Sequence, residues 1–318
     1  MRTSTELSPG QMILALARYA LNGVTMGTRY SAVFYAPQGL RAEPLARSLF
    51  EAVDRVDRQM STWKADSDLN RVNAAPVGEW VSIPCELMTV LAAGLRIGRL
   101  TKGAFDIGVG AVVNAWGFGP EVSRPDRGRI AAVSTRPCAI TADSLHLEQA
   151  SGRARKTAAL SLDLSAIAKG FGVDEMARVM DRFGIETWLI GIDGEMRAKG
   201  LKPDGSSWAV AHERPDRHAR EAMGVIELSN MAIATSGNYR RWFETDNGFV
   251  SHTIQPELGL PLDNGVASVS VLAPNCMSAD AWATALLVSG ADEGSRLAQA
   301  AGLEAIFVLE DGAVRSTL

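Results

Sequence analysis

The sequence predicts an α+β fold, and three observations carry that prediction. Short β-rich runs are interspersed with longer stretches whose apolar residues recur every three to four positions. The connections are rich in Gly, Pro and Asp, none is long enough to be a flexible interdomain linker, and no segment repeats another. With 318 residues, 47% of them hydrophobic, the chain can bury one large core or two intimately packed ones.

In chain order, GQMILALARYALNG (10 to 23) suits either a short amphipathic helix or an extension lying on the domain. YSAVFYA (30 to 36) predicts a strand, and PLARSLFEAVDRVDRQM (44 to 60) and CELMTVLAAGLRIGRLT (85 to 101) predict helices. An apolar strand ending near Leu162 leads into a helix over 166 to 184. SVSVLA (268 to 273) and AIFVLED (305 to 311) are strands on either side of a helix over 279 to 290. Loops are expected at 117 to 129, 202 to 207 and 212 to 221.

Composition narrows the function. With 32 basic and 36 acidic residues the formal net charge is -4, and no Lys/Arg run with interleaved aromatics occurs, so nucleic acid is not expected as a partner. Cys85, Cys138 and Cys276 are far apart, odd in number and outside any CxxC arrangement, which fits buried thiols in a reducing compartment. The apolar stretch 12 to 17 is stopped by Arg18, with no small-residue cleavage site. No segment approaches the ~20 apolar residues of a membrane span. The expected location is the cytoplasm, unless an export signal has been processed away.

Chemistry concentrates in a few segments. In SADAWATALLVSG (278 to 290), Asp280 and Thr284 stand at i and i+4 on an otherwise apolar helix, so their oxygens can converge on a hard cation such as Mg²⁺. Ser278 or Asp280 acting as a helix cap is the simpler alternative. LDLSAIAKGFGVDE (162 to 175) gathers Asp163, Ser165 and Lys169 at a helix start, where free N–H groups and an ammonium suit a phosphate. The alternative there is a cap at Asp163 and a solvated charge at Lys169. GAFDIGVG (103 to 110) and IATSGNYRR (233 to 241) place small residues where a bulky planar or phosphorylated ligand can approach the backbone. Neither resembles a Walker loop, and no GxGxxG opens a βαβ unit. His146, His212 and His218 read as surface residues; His252, opening HTIQPELGLP, could be held beside a ligand as a general base near neutral pH, with a purely structural histidine as the alternative.

Taken in order, VTMGTRY (24 to 30), MSTWKADSDLNRVN (60 to 73), GAFDIGVGAVVNAWGFG (103 to 119), LDLSAIAKGFGVDE (162 to 175), IATSGNYRR (233 to 241), SHTIQPELGLP (251 to 261) and SADAWATALLVSG (278 to 290) resemble the ApbE family of FAD:protein FMN transferases. The resemblance leaves residues 1 to 20 as an N-terminal extension and implies one domain over 21 to 318. That domain would contain two pseudo-repeated T-fold-like halves around a central cleft. It implies that Met26, Trp63, Ala104, Phe105, Asp106, Asp163, Lys169 and Ile254 contact FAD, the substrate. It further implies that Asp280, Thr284 and the carbonyl oxygen of Ala166 hold Mg²⁺, and that His252 takes the proton of an acceptor hydroxyl. The implied reaction moves the FMN half of FAD onto a Ser or Thr of a target flavoprotein and releases AMP.

The chain departs from the family pattern at Gln255 and Leu258, where an Asp and a Thr are usual, and at Asp193, where a Gly is usual. An amide at 255 cannot lend a histidine the support of a carboxylate. These departures leave two rivals in view: an FAD pyrophosphatase giving FMN and AMP, and an FAD-binding protein without catalysis.

Overall fold

The computed structural model describes residues 15–121, 124–134, 141–245 and 248–317. Leu16–Thr25 (β1) and Thr28–Pro37 (β2) form a hairpin in unbroken register from Leu16↔Pro37 to Thr25↔Thr28. Its two-residue turn, Met26 and Gly27, has φ of 47° and 70°, the left-handed pair that matches the twist of a tight hairpin. The described part of 10 to 23 is therefore strand and not helix. Pairing with β2 satisfies its backbone, and Tyr19 stacks on Phe34 with ring centroids 5.3 Å apart. Residues 16 to 20, assigned to an extension, belong to the sheet; residues 10 to 14 lie outside the described residues.

Glu43–Met60 (α1) has Pro44 in its first turn and buries Leu45, Leu49, Val53, Val56 and Met60 along one stripe. Asp68–Ala74 (α2) is capped by the Ser67 hydroxyl, which accepts the Asn70 N–H at 3.0 Å. Then come Trp80–Ser82 (β3), Cys85–Leu100 (α3), Gly110–Ala115 (α4), Arg127–Ser134 (α5), Thr141–Ser144 (α6), Leu145–Glu148 (β4) and Arg153–Lys156 (β5). Ala168–Arg182 (α7) starts two residues later than expected. No strand ends at Leu162; Ser161 makes only an isolated bridge with Val109.

The second half contains Thr187–Ile192 (β6), Glu195–Lys199 (β7), Trp208–Glu213 (β8), Ala222–Leu228 (β9), Ala232–Gly237 (β10), Trp242–Thr245 (β11) and Gly248–Ser251 (β12). It continues through Ile254–Gln255 (β13), Leu260–Pro261 (β14), Val266–Ala273 (β15), Cys276–Ala300 (α8), Glu304–Leu309 (β16) and Val314–Ser316 (β17). Helix α8 overruns the expected 279 to 290 at both ends. Gly290, with φ 79° and ψ 170°, breaks its helical geometry at the expected end.

One antiparallel sheet orders eight strands as β1-β2-β6-β7-β10-β15-β16-β17. In each half of that order, two strands are followed by a helical crossing, ending with α7 or made by α8, and then by two more strands. One buried cluster packs Phe34, Leu49, Val53, Met176, Met180, Trp188 and Ile190 between α1, α7 and the first half-sheet. A larger one packs Leu87, Leu91, Phe105, Leu164, Phe171, Val271, Leu286 and Phe307 around α3 and α8. Met26 touches both. Helices α7 and α8 approach so closely at Gly170 that a Cβ there would lie 2.4 Å from the Cys276 carbonyl oxygen. Of the cysteines, Cys276 is buried but Cys85 is exposed on the first turn of α3, against the expectation of buried thiols; Cys138 lies outside the described residues.

Candidate active site

A cavity of about 750 Å³ opens between the α7–α8 junction, the loop after α1, the segment 104 to 109 and the strands β8, β10 and β13. Its size is that of a site for a cofactor-sized ligand. All twelve candidate residues line it: Met26, Trp63, Ala104, Phe105, Asp106, Asp163, Ala166, Lys169, His252, Ile254, Asp280 and Thr284.

Local hydrogen bonds explain how distant segments meet here. The Asn73 side chain clamps residue 162 at two points, donating to its carbonyl at 3.0 Å and accepting its N–H at 2.7 Å. The next residue, Asp163, donates its N–H to the Ile107 carbonyl at 2.8 Å, which fixes 163 beside 104 to 106. Asp106 accepts the Gly108 N–H at 2.7 Å, and Asp163 accepts the Ser165 N–H at 2.8 Å; both are tight Asx turns. Trp63 is 65% exposed at the cavity rim and offers a flat aromatic surface there.

Asp280 is only 3% exposed, and one of its oxygens accepts the Gly170 N–H at 2.9 Å. Neither it nor Ser278 caps α8. Asn275 does so by accepting the Ser278 N–H, while Asp174 of α7 accepts the Cys276 and Met277 N–H groups, each at 2.9 Å. The capping alternative fails because the helix begins four residues before Asp280. Thr284 exchanges a 2.7 Å hydrogen bond with Ser236 of β10. Burial, reinforced by Glu195, raises the Asp280 pKa against the pull of Lys169 and the Gly170 N–H, so this carboxylate lacks a full counter-charge. Among the described residues no three His, Cys, Asp or Glu side chains converge on a metal position. A cation here would instead rely on carboxylate, hydroxyl and carbonyl oxygens, a hard donor set that fits Mg²⁺ with retained waters.

Lys169 is not a solvated charge. It pairs with Glu195 at 2.5 Å, and although burial disfavours its charge, Glu195, Asp280 and Asp193 together raise its pKa, so it stays an ammonium. Asp193 occupies the β6–β7 turn with φ 53°, a left-handed conformation that Asp tolerates better than most residues; the loop keeps a tight turn without the usual glycine.

His252 follows β12. Its N–H donates to the Arg241 carbonyl at 3.1 Å, and Nδ1 lies 3.3 Å from the same oxygen. That oxygen can only accept, so Nδ1 carries the proton and Nε2 keeps its lone pair. The Phe118 ring packs edge-on at 6.2 Å, itself against Phe243 at 4.7 Å. Burial, then the Arg241 and Lys169 charges, lower the His252 pKa to about 4, below the neutral range expected from sequence.

The sequence reading missed His212. It is buried, not a surface residue; it lines the cavity, and its Nε2 meets the Ser270 hydroxyl at 3.0 Å. Burial lowers its pKa. The spacing WAVAH in β8, which puts Trp208 and His212 on one face, is the signal that could have found it. Glu195 and Arg240 also line the cavity unforeseen.

The sequence profile of the ApbE family matches residues 26–307. An FAD:protein FMN transferase of Vibrio cholerae is 38% identical over 291 residues, covering 91% of this chain and 87% of that protein. The solved structure of a flavin transferase ApbE from Vibrio cholerae superimposes with a TM-score of 0.83 at 34% identity, covering 95% of this chain and 97% of that one. That of the Pseudomonas stutzeri flavinyl transferase ApbE, in its apo form, gives 0.84 at 34% identity, with 95% of each chain covered.

Proposed function

This chain belongs to the ApbE family, and we propose from that membership that its cavity is where FMN passes from FAD to a target protein. The chain is an enzyme of the transferase class, with FAD as its substrate. The finer reading is that the acceptor is a Ser or Thr hydroxyl, that AMP leaves, and that Mg²⁺ is required. The observation that supports it is the convergence of twelve residues, drawn from separate sequence segments, on a single cavity.

In this reading Met26, Trp63, the run 104 to 106, Asp163 and Ile254 would contact FAD, and the Lys169 ammonium would supply a positive charge for its phosphates. Asp280, Thr284 and the Ala166 carbonyl would hold Mg²⁺, which would supply Lewis-acid stabilisation of the charge on the pyrophosphate and the leaving AMP. Nε2 of His252 accepts the acceptor hydroxyl's proton as that oxygen bonds to the FMN phosphorus and the P–O bond to AMP breaks. The two-strand, helix, two-strand pattern in each half of the sheet supports reading the fold as two pseudo-repeated T-fold-like halves.

The test is to incubate the protein with FAD, Mg²⁺ and a candidate flavin-accepting protein and to seek an FMN-sized mass increment on a Ser or Thr. The expected increment disappears with EDTA. Release of FMN and AMP without labelling of any acceptor, or recovery of intact FAD, would sink the reading.

A further inference from the structure

Glu195 carries no role in the reading above, yet its surroundings are unusual. It is 2% exposed and lines the cavity, with one oxygen on the Lys169 ammonium at 2.5 Å. Its other oxygen, Oε2, is buried and has no hydrogen-bond partner among the described residues. A buried carboxylate oxygen without a donor is costly and in native proteins usually marks a water or ion. Asp280 lies in the same wall, 3% exposed, and both carboxylates act on the one ammonium of Lys169. One ammonium thus faces two buried carboxylates, and the second oxygen of Glu195 is left over once the ion pair is made.

We propose that Glu195 is a positioning residue that couples the lysine arm to the cation seat. Oε1 fixes Lys169, and Oε2 accepts a hydrogen bond from a water carried by the cation on Asp280 and Thr284. The neighbouring Asp193-Gly194 turn holds Glu195 at the first position of β7, where its side chain lines the cavity. The inference rests on the Mg²⁺-dependent reading of this site.

The experiment follows FAD binding by quenching of flavin fluorescence, first in EDTA and then with increasing Mg²⁺. Glu195→Gln keeps an acceptor for Lys169 but loses the charge and the free acceptor oxygen. It should bind FAD in EDTA within about twofold of the wild type, while the Mg²⁺ concentration for half-maximal tightening rises on the order of 10-fold, as for other outer-shell partners. Glu195→Ala should weaken FAD binding in EDTA as well. The near-isosteric Gln variant carries the test even if the Ala variant does not fold. A wild-type response to Mg²⁺ in Glu195→Gln overturns the inference and leaves the transferase reading intact. Wild-type protein that binds FAD with no response to Mg²⁺ overturns both.

Discussion

At His252 a backbone carbonyl does the orienting that Gln255 cannot. The Arg241 oxygen receives Nδ1–H, so Nε2 is the free base, and the ring is neutral throughout the physiological range because its pKa lies near 4. Replacing His252 by Ala should slow FMN transfer about 10² to 10⁴-fold, the usual contribution of a general base, with FAD affinity changed by less than about threefold. Transfer rates and fluorescence titration check the two halves. The pH dependence has a definite sign. The base is lost only as pH falls through about 4, so kcat/KM should show no His252 limb between pH 6 and 8. Because the unfolded histidine protonates near 6.5, this residue also makes stability fall as pH drops from about 6.5 to about 4. A transfer limb near pH 6.5 that disappears in His252→Ala would contradict this placement.

Among the elements, the start of α8 is the most informative, since Asp280 and Thr284 stand on its second and third turns. Two separate groups satisfy its N-terminal donors: Asn275 from the chain itself and Asp174 from α7. Asn275→Ala should cost about 1 kcal/mol, as for other lost caps. Asp174→Ala should cost about 3 kcal/mol, because it also strands the Arg197 guanidinium, now 2.7 Å from that carboxylate. Chemical denaturation of both variants tests the order; equal losses would deny Asp174 this role. Gly170→Ala pushes a methyl against the Cys276 carbonyl and the Asp280 Cβ, and overpacking of this kind costs about 1 to 3 kcal/mol. That variant should lose Mg²⁺-dependent FAD binding along with stability, because the Gly170 N–H is the one that holds Asp280. The helices themselves were legible as periodic apolar stretches, but their caps were not. Asp174 is 102 residues from the N–H it receives.

Across the whole molecule, the eight-stranded sheet joins both halves through the β7–β10 pair, and the cavity is walled by both. Neither half should persist without the other. Calorimetry should give a single transition for the full chain, and FAD with Mg²⁺ at 100 times its Kd should add about 2.7 kcal/mol of stability through binding to the native state alone. Two resolved transitions would show that the halves fold apart.

Much of this architecture follows from the sequence because it depends on neighbours along the chain. Hydrophobic period marks α1, α3, α7, α8 and strands β2, β15 and β16, and the i, i+4 spacing of Asp280 and Thr284 survives in any helix. Motif order was enough to indicate the family and twelve of the residues that line the cavity. Tertiary structure decided what depends on contacts between distant segments. It turned residues 16 to 20 into a strand by pairing them with β2, buried His212 against Ser270, and moved the cap of α8 to Asn275 and Asp174. It also placed Glu195 on Lys169, 26 residues away. Burial and counter-charge are properties of packed neighbours, so the protonation of His252 and Asp280 became readable only once the chain had folded around them.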